Sequence, residues 1–70
     1  MREQWTGNVV GRMHIYNIKA SELAKACGYT PQYLSMVLSG KKKATSQTKM
    51  IIFSSLQDLE LEVAHERLHY

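Results

Sequence analysis

Residues 20 to 40, ASELAKACGYTPQYLSMVLSG, constrain the chain more than any other stretch, because they encode two short helices held at a fixed angle by a tight glycine turn. Leu23, Ala24 and Cys27 are apolar at helical spacing, and Gly28 supplies the backbone freedom with which the chain leaves that helix and reverses. Thr30 reads as an N-cap. Pro31 fits the first helical position, where its missing N–H costs nothing, and Leu34, Val37 and Leu38 recur at i, i+3 and i+4 as one buried stripe. The other side of this second helix carries Gln32, Ser35, Met36 and Ser39, mostly small or polar side chains in place of the Glu and Lys of an ordinary solvated face. Such a surface can lie against another molecule.

Ala24 adds a packing constraint, since two helices that cross closely need a small side chain at the contact. Leu23-Ala24, Gly28, Leu34 and Val37, extended by Tyr33-Leu34-Ser35 and Leu38-Ser39-Gly40-Lys41, closely resemble the Cro/C1-type, or lambda-repressor-like, family of helix-turn-helix proteins. The resemblance spans roughly Ile15 to Leu56. Lys19 departs from it, standing where many relatives carry a Thr or Ser that caps the first motif helix. The resemblance implies an all-α, compact four- to five-helix DNA-binding domain with the helix-turn-helix at 20–39, in which helix 31–39 enters the major groove while the preceding helix crosses the backbone. It also implies a small transcriptional regulator that binds double-stranded DNA sequence-specifically, as a repressor and a homodimer. In that docking Gln32, Ser35, Met36 and Ser39 face base edges, and Thr30 and Tyr33 face the DNA backbone. Gln32 leads this set, because its amide both donates and accepts and the first turn of such a helix is the part that reaches the bases. Met36 suits a thymine methyl better than a hydrogen bond.

After the second motif helix comes Gly40-Lys41-Lys42-Lys43-Ala44-Thr45-Ser46, a turn whose glycine ends one helix and whose Thr45 or Ser46 caps the next. Most lysine runs are solvated loops. This one directly follows the candidate recognition helix and precedes a capped helix start with free N–H groups, so phosphate contact by Lys41, Lys42, Lys43, Thr45 and Ser46 is the better reading. Phosphates are the same at every base pair, and the loop is therefore expected to add affinity without reading sequence.

Before the motif, Trp5, Val9, Met13 and Tyr16 share one helical face, with Val10 and Ile18 able to widen it, and Trp5 reads as a core anchor. His14 lies off that face. Gly7 and Gly11 are costly inside a helix, so either they admit a neighbouring helix closely or the helix begins later, near Thr6. From Gln47 onward Met50, Ile51, Ile52, Phe53, Leu56, Leu59, Val63 and Leu68 form a helical apolar pattern, which Ser54-Ser55 could bend. Helices are expected near 2–16, 20–27, 31–39 and 46–57, with a last one near 58–68 that either stands apart or continues the fourth. The 4-3-4 steps Ile52, Leu56, Leu59, Val63 run beyond what one small core needs. That surplus, with Leu56, Leu59 and Val63 as its members, either makes 58–70 a dimerisation helix or packs back on the Trp5 face.

Seventy residues make one domain at most, with little scaffold for catalysis, and 44% hydrophobic residues argue against disorder. Residues 1 to 50 hold eight basic and two acidic side chains, whereas 51 to 70 hold one basic and four acidic. Positive charge thus gathers around the motif and favours a polyanionic partner there, while the acidic end faces away. Cys27 has no second cysteine to pair with and reads as a reduced core residue. No apolar run approaches a membrane span, and MREQWTG lacks the apolar segment of a signal peptide, so a cytoplasmic location without membrane contact is expected.

Two other functional classes compete. His65-Glu66-Arg67-Leu68-His69 matches H-E-x-x-H, in which two histidines one turn apart bind zinc and the glutamate activates water. A peptidase also needs a third ligand and a substrate cleft, and only Tyr70 follows. The chance-match reading therefore prevails, and no metal, cofactor, small-molecule ligand or catalytic residue is expected. The other competitor is a protein-interaction module or antitoxin-like adaptor, favoured by Tyr33 and Met36 and by the lack of an arginine guanine reader in the second motif helix. The lysine run favours DNA.

Overall fold

The computed structural model describes residues 4–68, with side chains through Glu66. The expected helix start at residue 2, Leu68 as the last step of the apolar stripe and the His69 end of the H-E-x-x-H match lie outside those bounds. Among the described residues four helices follow one another: α1 (Gln4–Tyr16), α2 (Ala20–Cys27), α3 (Pro31–Leu38) and α4 (Ser46–Leu68). The expected fourth and fifth helices are one continuous 23-residue helix, and α3 stops at Leu38 with Ser39 as its C-cap.

The first three helices end alike. Asn17, Gly28 and Gly40 each take a left-handed conformation, at φ of 55°, 81° and 86°. The next N–H then turns back to a carbonyl five residues earlier: Ile18 to Met13 at 2.8 Å, Tyr29 to Ala24 at 2.9 Å, and Lys41 to Met36 at 2.9 Å. This is the Schellman closure, which satisfies carbonyls that the helix itself leaves open. Starts are more varied. Thr30 Oγ1 accepts from the Tyr33 N–H at 3.1 Å, and Thr45 Oγ1 accepts from the Thr48 N–H at 3.1 Å. At α2 the lysine in the cap position lends no side-chain oxygen; Glu22 instead accepts from the Lys19 N–H at 3.0 Å, the reciprocal half of a capping box. The departure at Lys19 is thus compensated one turn into the helix.

The core gathers Val9, Met13 and Ile18 with Leu23, Ala24, Leu34, Val37, Leu38, Ala44, Ile52 and Leu56. Ala24 is fully buried, as a close helix contact requires. Trp5 stands against Phe53 with ring centroids 6.0 Å apart, and Arg12 reaches Glu60 through Nε at 2.8 Å and through Nη2. Both pairs are 48 residues apart, so α1 and α4 run parallel, side by side. The Glu60 carboxylate raises the Arg12 guanidinium above its ordinary pKa, chiefly through that side-chain hydrogen bond.

Four expectations need correction. Leu56 is not part of a dimerisation seam: it is 0% exposed and belongs to the core that closes beneath α1 and α2. Leu59 and Val63 are half-buried against the same core, so part of the surplus stripe is used within the chain. Neither account of Gly7 and Gly11 holds, because α1 begins before both and a Cβ built at either would meet nothing within 4 Å. Met50, counted with the apolar pattern, is 71% exposed, whereas Thr6, a polar residue absent from it, is almost wholly buried.

Candidate nucleic-acid interface

The exposed side of α3 follows from its buried side. Leu34, Val37 and Leu38 turn inward, which leaves Gln32, Ser35 and Met36 on the outer face, where with Pro31 they line a shallow, open depression. Met36 keeps 42% of its surface open. Ser39, one residue past the helix, is exposed and its hydroxyl donates to the Met36 carbonyl at 3.2 Å. All four residues expected to read bases are therefore exposed, three of them on one helical face.

The residues expected to contact phosphate precede and follow that face in the chain, Tyr33 aside, which lies within α3. Thr30 is exposed, and as its oxygen accepts from the Tyr33 N–H its own O–H is left to donate elsewhere. Lys41, Lys42 and Lys43 are exposed, but their loop is not loose, since the Lys41 and Lys42 N–H groups both bond to the Met36 carbonyl, at 2.9 and 3.1 Å. Lys42 Nζ stands 5.3 Å from the centre of the Tyr33 ring. Thr45 is the cap of α4, sharing a 3.0 Å hydroxyl contact with Thr48, and Ser46 opens the helix beside it. Behind the loop, Lys42 and Lys43 join Trp5, Thr6, Val37, Gly40 and Ala44 around a cleft of about 200 Å³.

Two residues at this surface were missed by reading the sequence. The Tyr29 and Tyr33 rings meet in a T-shaped contact, with centroids 5.0 Å apart and planes at 62°. The i, i+4 spacing of two tyrosines was visible, but it crosses a turn and so lacked a helical face to interpret it. Lys49 Nζ lies 5.5 Å from the Trp5 ring centre. That contact joins α4 to α1 over a separation that no local pattern reports.

Elsewhere the chemistry is sparse. Cys27 is half-buried, and burial pushes its thiol pKa up while a hydrogen bond with Ser55 pulls the other way. Such a thiol is a poor nucleophile at neutral pH. His65 and Glu66 are exposed near the end of α4, and among the described residues no three His, Cys, Asp or Glu side chains gather as a metal-binding group. Among those residues, too, no helix is long and apolar enough to cross a membrane.

No curated protein and no solved structure matches the chain. A family model described as helix-turn-helix matches residues 16–62, from the last residue of α1 through most of α4 and including the whole exposed face just described. With that match covering well over half of its length, the chain belongs to the Cro/C1-type helix-turn-helix family of DNA-binding proteins.

Proposed function

We propose that this protein is a transcriptional repressor that binds double-stranded DNA sequence-specifically as a homodimer. One observation carries the reading: a short, doubly capped helix presents small and polar side chains outward and is followed without slack by three exposed lysines. In this docking α3 lies in the major groove with Gln32, Ser35, Met36 and Ser39 toward base edges. Thr30, Tyr33, Lys41, Lys42, Lys43, Thr45 and Ser46 meet the flanking phosphates, and the acidic end of α4 points away from the polyanion. The half-buried Leu59 and Val63 are the residues left to join two subunits. Residues 1–70 act in this reading as a single DNA-binding domain in the cytoplasm.

Selection of bound sequences from random duplex DNA tests this directly. Enrichment of a two-fold symmetric site, with half-sites about one helical turn apart, is expected. Recovery of random sequence would point instead to the adaptor reading.

A further inference from the structure

Tyr33 stands between the base-reading face and the lysine loop, and its contacts tie the two together. The Tyr29 ring meets the Tyr33 ring in a T-shaped contact at 5.0 Å between centroids, and the Lys42 ammonium rests 5.3 Å from the centre of the Tyr33 ring. Both anchors are fastened to the same helix. The Tyr33 N–H is held by the Thr30 cap, and the Lys42 N–H is held by the Met36 carbonyl. The tyrosines are half-buried, so the aromatic pair is itself packed in place. A lysine on an open loop samples many rotamers, and an ammonium attracted to an aromatic face samples fewer.

We propose that Tyr29 and Tyr33 are a positioning pair that holds the Lys42 ammonium in fixed relation to α3, so that Lys42 sets the register of the recognition helix on DNA. The inference rests on the DNA-binding reading above and deepens it. Phosphate contacts fix how a reading helix sits in the groove. A rigid arm reaches its phosphate in one register, whereas a mobile arm finds a phosphate in any register. Lys42 therefore contributes to discrimination between sequences, while Lys41 and Lys43 add affinity to every duplex alike. This modifies the expectation that the whole loop is blind to sequence. The positioning role of Tyr33 belongs to its ring, apart from any contact its hydroxyl makes.

A double-mutant cycle between positions 33 and 42 tests the proposal on the sequence recovered by selection and on random duplex. Lys42→Ala is expected to weaken the preferred site more than random DNA, and Lys43→Ala to weaken both equally. Tyr33→Leu keeps an apolar side chain but removes the ring, and should lower the preference by about two- to five-fold, the range set by an exposed cation–π contact. In that background Lys42→Ala should no longer change the preference. Tyr33→Phe keeps the ring and should preserve the Lys42 effect in full. A second readout needs no DNA: the Lys42 side-chain protons of the free protein should be shifted upfield by the ring current in the parent and in Tyr33→Phe, and not in Tyr33→Leu. An equal Lys42→Ala effect on preference with and without the ring, or an unshifted Lys42 in the parent, would overturn the proposal. Should no duplex be bound, a ring-shifted Lys42 would locate the failure in the DNA reading, while an unshifted one would remove the positioning pair as well.

Discussion

Replacing Lys41, Lys42 and Lys43 together by alanine takes three exposed ammonium groups from the turn between α3 and α4. The turn does not depend on them for its shape, because Gly40 sets it and the backbone N–H groups of Lys41 and Lys42 hold it to Met36. The fold should survive, as an unchanged thermal melt would confirm. Each ammonium that neutralises a phosphate releases condensed counterions, so on a single half-site, where one subunit of the homodimer meets DNA, each contributes about 0.9 to the slope of log K against log salt, or about 2.7 for all three. Over an increase from about 50 to 200 mM salt this difference compounds to roughly forty-fold. The variant is thus expected to bind far more weakly than the parent at low salt, with the gap narrowing about forty-fold by the upper concentration. Fluorescence anisotropy of a labelled duplex carrying one half-site, at several salt concentrations, measures both slopes. A loss of only about 0.9 would mean that one lysine meets phosphate, and the ring contact of Lys42 makes it the candidate. An unchanged slope in a folded variant would remove the loop from the interface and refute the reasoning.

Gln32→Ala should cost about 1–3 kcal/mol on the preferred duplex and much less on random DNA, relaxing one base pair per half-site. Equal losses on the two, or none, would defeat its assignment as a base reader. Gly7→Ala and Gly11→Ala, where a Cβ meets open space, should each stabilise the fold by about 0.5–1 kcal/mol. Together they should raise Tm by about 4–16 °C in calorimetry, and a lower Tm would show that α1 needs those positions bare. Leu56→Ala, at a fully buried site, should cost about 2–5 kcal/mol, a large share of the roughly 4–10 kcal/mol that a chain of this length has to lose. Leu59→Glu with Val63→Glu should instead yield a folded monomer in sedimentation, and a parent that is already monomeric at high concentration would sink the homodimer.

The sequence by itself determined the helix-turn-helix and the face it presents. Those features are written in interactions a few residues long: Thr30 caps a helix by bonding Tyr33, Gly28 and Gly40 close helices by turning left-handed, and Leu34, Val37 and Leu38 repeat at the helical period. Each can be recognised within about one turn of chain. The uses of α4 could not be read that way. Ile52, Leu56, Leu59 and Val63 form one periodic stripe, and period alone does not say where the stripe stops being core. That depends on how far α1 runs alongside, which the Trp5–Phe53 and Arg12–Glu60 pairs decide over separations of 48 residues. The placement of Lys42 over Tyr33 was hidden for the same reason. Two residues of ordinary surface type became a unit only because a turn between them was closed by the backbone. Local hydrogen bonding announces itself in neighbouring letters; burial and side-chain stacking are decided by what the rest of the chain brings alongside.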